Sequence, residues 1–157
     1  MKRLVVLVAL CLAGTSTAAV DGGSNNLKRA ALCFTERSVW VSDELRTLSP
    51  NIASEVYKKL AAKLTAYRVN YLPTCANVDN QIVFVIDGFR AKSGTFSIYV
   101  AELKVLSTLI YPDSAVIWGT SVYGTTPDQG TALSQLFVNA ASDQVDSLAA
   151  DYAKANP

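Results

Sequence analysis

This 157-residue chain contains no histidine. That absence excludes Ser-His-Asp and Cys-His catalysis and removes the commonest zinc ligand. There is no C-x-x-C spacing, so neither a thioredoxin-type redox pair nor a cysteine-based metal knuckle is expected. The sequence therefore implies no cofactor and no metal. It also lacks an apolar run of the roughly 20 residues a bilayer-spanning helix needs. Neither sign of charge dominates, with 14 Lys and Arg against 13 Asp and Glu. Without a basic cluster, a nucleic-acid surface and an anionic-lipid surface are both disfavoured. No internal repeat and no second domain are visible.

What is present begins with an export signal. Lys2 and Arg3 form a short positive region, Leu4 to Leu12 is unbroken apolar sequence, and Ala13 to Ala19 is built of small residues. Small residues at −3 and −1 satisfy signal peptidase for cleavage after Ala19 or after Ala18, with Ala19 preferred. Cys11 does not make a lipobox, because Leu10 precedes it where Gly or Ala is required. Residues 1–19 are thus expected to be a signal peptide, and the mature protein to be periplasmic or secreted, without a stable membrane anchor. Cleavage leaves 14 − 2 = 12 basic residues against 13 acidic ones.

The mature chain keeps Cys33 and Cys75. In an oxidising compartment an even pair reads as a disulfide, here closing 75 − 33 = 42 positions. Residues 20–30, opening with Asp21-Gly22-Gly23-Ser24-Asn25-Asn26, have little to bury and read as a flexible lead-in. Residues 31–157 form one domain.

Within that domain, Leu32-Cys33-Phe34 and Ser38 to Val41 have strand composition. Ser49-Pro50 suggests a helix start with Ser as cap and Pro at the first position. Ile52, Val56, Leu60 and Leu64 continue it as one apolar stripe to about Tyr67. Val69 to Leu72 is a short strand stopped by Pro73. Ile82 to Ile86 is continuously apolar, as in a strand buried on both faces. Phe96, Ile98 and Val100 alternate with polar neighbours, but Leu103 and Val105 have the opposite parity. A bulge near Ala101–Glu102 would reconcile the two sets. Ala115 to Tyr123 is a long strand after the Pro112-Asp113-Ser114 turn. Thr126-Pro127-Asp128-Gln129 has the form of a capping box, opening a helix of about 28 residues and roughly 40 Å. The expected fold is α+β: a mixed, mostly antiparallel sheet with two main helices on one face and the last helix long.

Candidate chemistry is sparse. Lys92-Ser93-Gly94 resembles the K-[ST]-G element of penicillin-recognising enzymes, but no S-x-x-K accompanies it, and a hairpin turn is the simpler reading. Asp43 and Glu44 are adjacent and would point to opposite sides of a strand. Asp87, at the end of the most apolar strand, and Glu102, at the suspected bulge, are the one carboxylate pair able to meet across a hairpin, as a glycosidase needs. Trp40, Trp118, Tyr67, Tyr71, Tyr99, Tyr111 and Tyr123 either fill the core of a small sheet or line a binding face. On the strand 115–123, Trp118 marks the core side. Ile117, Gly119 and Tyr123 then share the other side, a docking surface if this late strand is a sheet edge.

The order of elements, carried by the helix Ser49 to Tyr67, the strand containing Val116-Ile117-Trp118-Gly119 and the helix Thr126 to Ala153, resembles small bacterial envelope domains. Those are the amino-terminal domain of TolB and the penicillin-binding-protein activator lipoproteins. The resemblance implies a non-catalytic binding or assembly protein of the cell envelope, whose partner is another envelope protein. The alternatives are a secreted hydrolase of cell-wall or polysaccharide substrate using Asp87 and Glu102, and an inhibitor of a secreted enzyme.

Overall fold

The computed structural model describes the backbone of residues 16–20 and the whole of residues 23–109 and 115–157. The apolar part of the expected signal, Cys11, Asp21, Gly22, Tyr111 and the Pro112–Ser114 turn lie outside the described residues.

Its strands are β1 (Ser16–Val20), β2 (Leu32–Cys33), β3 (Val39–Val41), β4 (Tyr71–Leu72), β5 (Asn80–Arg90), β6 (Ser97–Ser107) and β7 (Ala115–Thr126). The helices are α1 (Asp43–Leu48), α2 (Ile52–Ala66) and α3 (Gly130–Ala155). One seven-stranded sheet runs in the order β1-β7-β6-β5-β2-β4, with β3 also paired to β5. The β1–β7, β7–β6 and β6–β5 pairs are antiparallel, while β2 and β3 lie parallel to β5. The fold is the expected α+β layering: a mixed sheet with the long last helix across it.

Alternation explains the layers. Ile82, Phe84 and Ile86 of β5 and Tyr99, Ala101, Leu103 and Val105 of β6 are buried on one side. Onto that side pack Ile52, Val56, Leu60 and Leu64 of α2, and Leu133, Phe137, Ala141, Val145 and Leu148 of α3. Each such fully buried Leu or Ile contributes about 1.5–3 kcal/mol of transfer free energy. Phe34 lies tilted against Tyr57 with ring centroids 5.3 Å apart, and Tyr99 meets Phe137 edge-on at 5.1 Å. Cys33 and Cys75 are disulfide-bonded.

Several local expectations give way to tertiary contacts. Val83 and Val85 are only half-buried, so the β5 apolar run is covered on one face rather than two. β6 carries no bulge at Ala101–Glu102. Its odd positions are core throughout, and Ile98 and Val100 are apolar residues on the uncovered face. The irregularity lies opposite, where Val105 pairs with Trp118 but Leu106 with Val116, leaving Ile117 as the extra residue of β7. Asp43 and Glu44 sit in the first turn of α1, where acidic groups suit the helix dipole, instead of on a strand. Ser49 does not cap α2, which starts at Ile52. Its hydroxyl is buried and shares a 2.7 Å hydrogen bond with that of Ser134 on α3. Thr126 ends β7, and its Oγ1 accepts from the Asp128 amide at 3.1 Å, so the turn precedes a helix capped at Gln129. Where a flexible lead-in is expected, Ser24–Leu27 forms one 3-10 turn with Leu27 fully buried, and Asn156 Nδ2 donates to the Leu27 carbonyl at 3.1 Å.

One tie between α3 and the sheet makes stability depend on acid. Trp118 Nε1 donates to Asp151 at 3.1 Å, and this bond, reinforced by Lys154 at 3.1 Å, holds the Asp151 carboxyl below the usual aspartate range. A carboxyl whose pKa is depressed on folding stabilises above the unfolded value, near 4, and loses that contribution as pH falls through the folded value. Relative to a Trp118→Phe variant, the wild type should therefore lose stability on the acid side of pH 4. Parallel pH–stability curves for the two proteins would refute the coupling.

Candidate interaction face

Because α2 and α3 cover one side of the sheet, the other side of β5, β6 and β7 has no helix over it among the described residues. The register places its side chains in rows. Phe89 faces Ile98 and Ile98 faces Thr125; Asp87 faces Val100 and Val100 faces Tyr123; Val85 faces Glu102 and Glu102 faces Ser121. Trp40 joins from β3 opposite Val85. Phe89 and Tyr123 are about half exposed, at 53% and 50%, and Trp40, Ile98 and Val116 are exposed as well. Phe89, Ile98, Val100 and Tyr123 form an apolar band at one end of the face, Val116 lies at the other end, and the rows between are charged, with Lys104 Nζ 2.6 Å from Glu102 Oε2. A shallow depression of about 190 Å³ opens by Asp87, Phe89, Ile98 and Val100.

The sequence candidates divide on this face. Asp87 and Glu102 do share it, one row apart, each with a partner of its own. Glu102 is held by Lys104, Asp87 Oδ1 accepts from the Gly88 amide at 2.8 Å, and Glu102 takes no part in lining the depression. A glycosidase needs both carboxyls aimed at one bond inside a cleft, and here they lie on an open surface. Gly119 and Tyr123 lie on the open face as expected, whereas Ile117 is turned by the bulge to pack against the core and Val116 takes its outward place. β7 is not the outermost strand of the described sheet, because β1 pairs with it from Gly119 to Tyr123. Of the aromatics, Trp118 and Tyr99 are core, while Trp40, Tyr67 and Tyr123 are exposed. Phe89 and Ile98 escaped the sequence reading as surface residues. Their even–odd phase relative to Ile82–Ile86 and Leu103–Val105 carried the signal, had β6 been read without a bulge.

The remaining polar clusters have structural roles. Lys63 Nζ and Tyr67 Oη both donate to Asp146 Oδ1, at 2.5 and 2.6 Å, and bind α2 to α3. Lys92, Ser93 and Gly94 form the β5–β6 hairpin turn, with Gly94 at φ 70° and its amide bonded to the Ala91 carbonyl. No group of three or more potential metal ligands occurs among the described residues.

The architecture is that of a two-layer α+β domain with one sheet face free of helices among the described residues, disulfide-bonded and with no described helix long and apolar enough to cross a membrane. No protein-family model matches the chain, and no curated protein does. Among solved structures it is similar to the PelC dodecamer from Paraburkholderia phytofirmans, with a TM-score of 0.53 and 14% identity over 86% of this chain and 97% of that one. A point variant of the same dodecamer gives a TM-score of 0.54 and 13% identity over the same shares. At such identity the likeness establishes the fold.

Proposed function

We propose that the chain is an exported, non-catalytic binding or assembly protein of the bacterial cell envelope, freed of its signal peptide and acting on another envelope protein through the open sheet face. The observation that carries this reading is the asymmetry of the sheet. One face is packed under helices, and the other presents Trp40, Phe89, Ile98 and Tyr123 to solvent. Contiguous exposed apolar side chains on a soluble domain mark interaction surfaces. The Cys33–Cys75 bond supports an oxidising compartment, and the assembled state named for the PelC structures supports an assembly role.

The test compares baits that differ only on this face. The precursor, expressed with its leader in a bacterium, should appear outside the cytoplasm, and the purified protein should capture a discrete envelope partner. Phe89→Ser and Tyr123→Ala should lose that partner with little change in melting temperature. Were Tyr123 a core residue instead, its truncation would cost roughly 3–5 kcal/mol. Identical capture by wild type and both variants would refute the proposed face.

A further inference from the structure

The open face carries the same pattern from either end, with charge inverted. Along β6, the middle of the three long strands, Ile98 and Val100 stand at one end and Leu106 at the other, with Glu102 and Lys104 between them. On β7, Tyr123 is level with Val100 and Val116 with Leu106. On β5, Val85 is level with Glu102 and Val83 with Lys104. About a line across the strands at Leu103, apolar rows therefore exchange with apolar rows, and the acidic residue of the centre exchanges with the basic one. Both of these charged side chains are still partly exposed. Asp87, the other charged residue on this face of the three strands, lies at its margin. There β3 has ended at Val41, opposite Ile86, and no described strand flanks β5 beyond it.

A two-fold interface requires this kind of self-complementarity. Two axes in the plane of the face can be centred on β6. One running along the strand would set Glu102 over Glu102 and Lys104 over Lys104. The axis across the strands at Leu103 instead sets each Glu102 over the other copy's Lys104. It also lays the row of Val100 and Tyr123 over the row of Leu106 and Val116. The area agrees with such a use of the whole face. β5, β6 and β7 are 11, 11 and 12 residues long, about 36 Å by 14 Å at ordinary strand rise and spacing. Side-chain relief and the flanking Trp40 raise that roughly 500 Å² projection toward the ~800 Å² each partner gives to a standard interface.

We infer that the partner of the open face is a second copy of this chain, packed face to face about a two-fold axis that crosses β6 at Leu103. The two sheets then stack about 10 Å apart, with their strands antiparallel to within the usual twist. The apolar rows at both ends supply the affinity. The central charges set register and orientation, because desolvation offsets most of what a buried ion pair gains. The inference rests on the reading of this face as an interaction surface and gives that surface its partner.

The experiment takes the protein exported from its full precursor and measures particle mass by light scattering across a dilution series. The expected result is a dimer that dissociates on dilution. Glu102→Lys and Lys104→Glu set like charges across the axis, so each should raise the dissociation constant at least about tenfold, equivalent to ~1.4 kcal/mol. Mixed in equal amounts, the two variants should pair with each other about as tightly as wild type, because every Lys then meets a Glu. The double exchange, Glu102→Lys with Lys104→Glu, keeps the ion pair within the chain and should restore the homodimer. Melting temperatures of the dilute proteins show that each variant is folded. A wild type still monomeric at about 1 mM would overturn the pairing. If that monomer captures a different envelope protein, and loses it in Phe89→Ser and Tyr123→Ala, the reading of the face survives. If it captures none, that reading falls as well. An oligomer that neither single substitution weakens would place the interface elsewhere, and variants that stay apart when mixed would refute the register.

Discussion

Gln144→Ala should destabilise the protein by about 2–5 kcal/mol in chemical unfolding. Gln144 is 5% exposed in the middle of α3, surrounded by residues of the apolar stripe. Its Oε1 accepts from the Leu103 amide at 2.7 Å and its Nε2 donates to the Ala101 carbonyl at 3.0 Å. One side chain thus satisfies two backbone groups of a central strand and sets the rotation of α3 over the sheet. Removing it leaves both groups buried without that partner, at about 1–3 kcal/mol each. Gln144→Glu separates the two bonds. A carboxylate still accepts from Leu103 but has no hydrogen for Ala101. Protonation restores that hydrogen, so the Glu variant should gain stability relative to wild type as pH falls. A loss below about 1 kcal/mol for the alanine variant would mean that both backbone groups find other partners.

Reduction of the Cys33–Cys75 bond should have an effect of similar size, about 4 kcal/mol on the chain-entropy account for a separation of 42 residues. The crosslink joins β2 to the segment just past β4, and the loop it closes contains β3, α1, α2 and β4. β2 and β4 contribute only two residues each to the sheet, so few ladder hydrogen bonds hold this edge once the covalent tie is cut. The midpoint of urea unfolding, measured with and without reductant and in Cys75→Ser, should fall by matching amounts. An unchanged midpoint under reductant that demonstrably frees both thiols would refute the estimate.

Both positions show what can be read along a chain and what cannot. The disulfide followed from two cysteines and a leader sequence, because covalent pairing of an even set in an oxidising compartment needs no knowledge of the fold. Gln144 gave no signal. A polar residue in an apolar stripe looks like a solvated interruption until a strand backbone is placed beneath it.

The sequence by itself determined the α+β class, the positions of α2 and of the long β7 and α3, and the core identity of Trp118. These depend on periodicity and composition within one segment, and the hydrophobic effect acts on such stripes whatever lies across from them. Tertiary structure decided the rest. Ile98 and Val100 resemble core residues in isolation. They became surface residues because Tyr99, Ala101, Leu103 and Val105 match the helices better, and one strand can bury only one parity under a single helical layer. The helix caps at Ser49 and Thr126 were displaced because a hydroxyl that meets another buried partner, or closes a turn, is no longer available to a helix end. The bulge moved from β6 to Ile117 on β7, since its place depends on the register between two strands and not on either one alone. For the same reason only the assembled sheet distinguished Asp87 and Glu102, which share an open face without facing a common cleft, from the apolar band of Phe89, Ile98 and Tyr123 beside them.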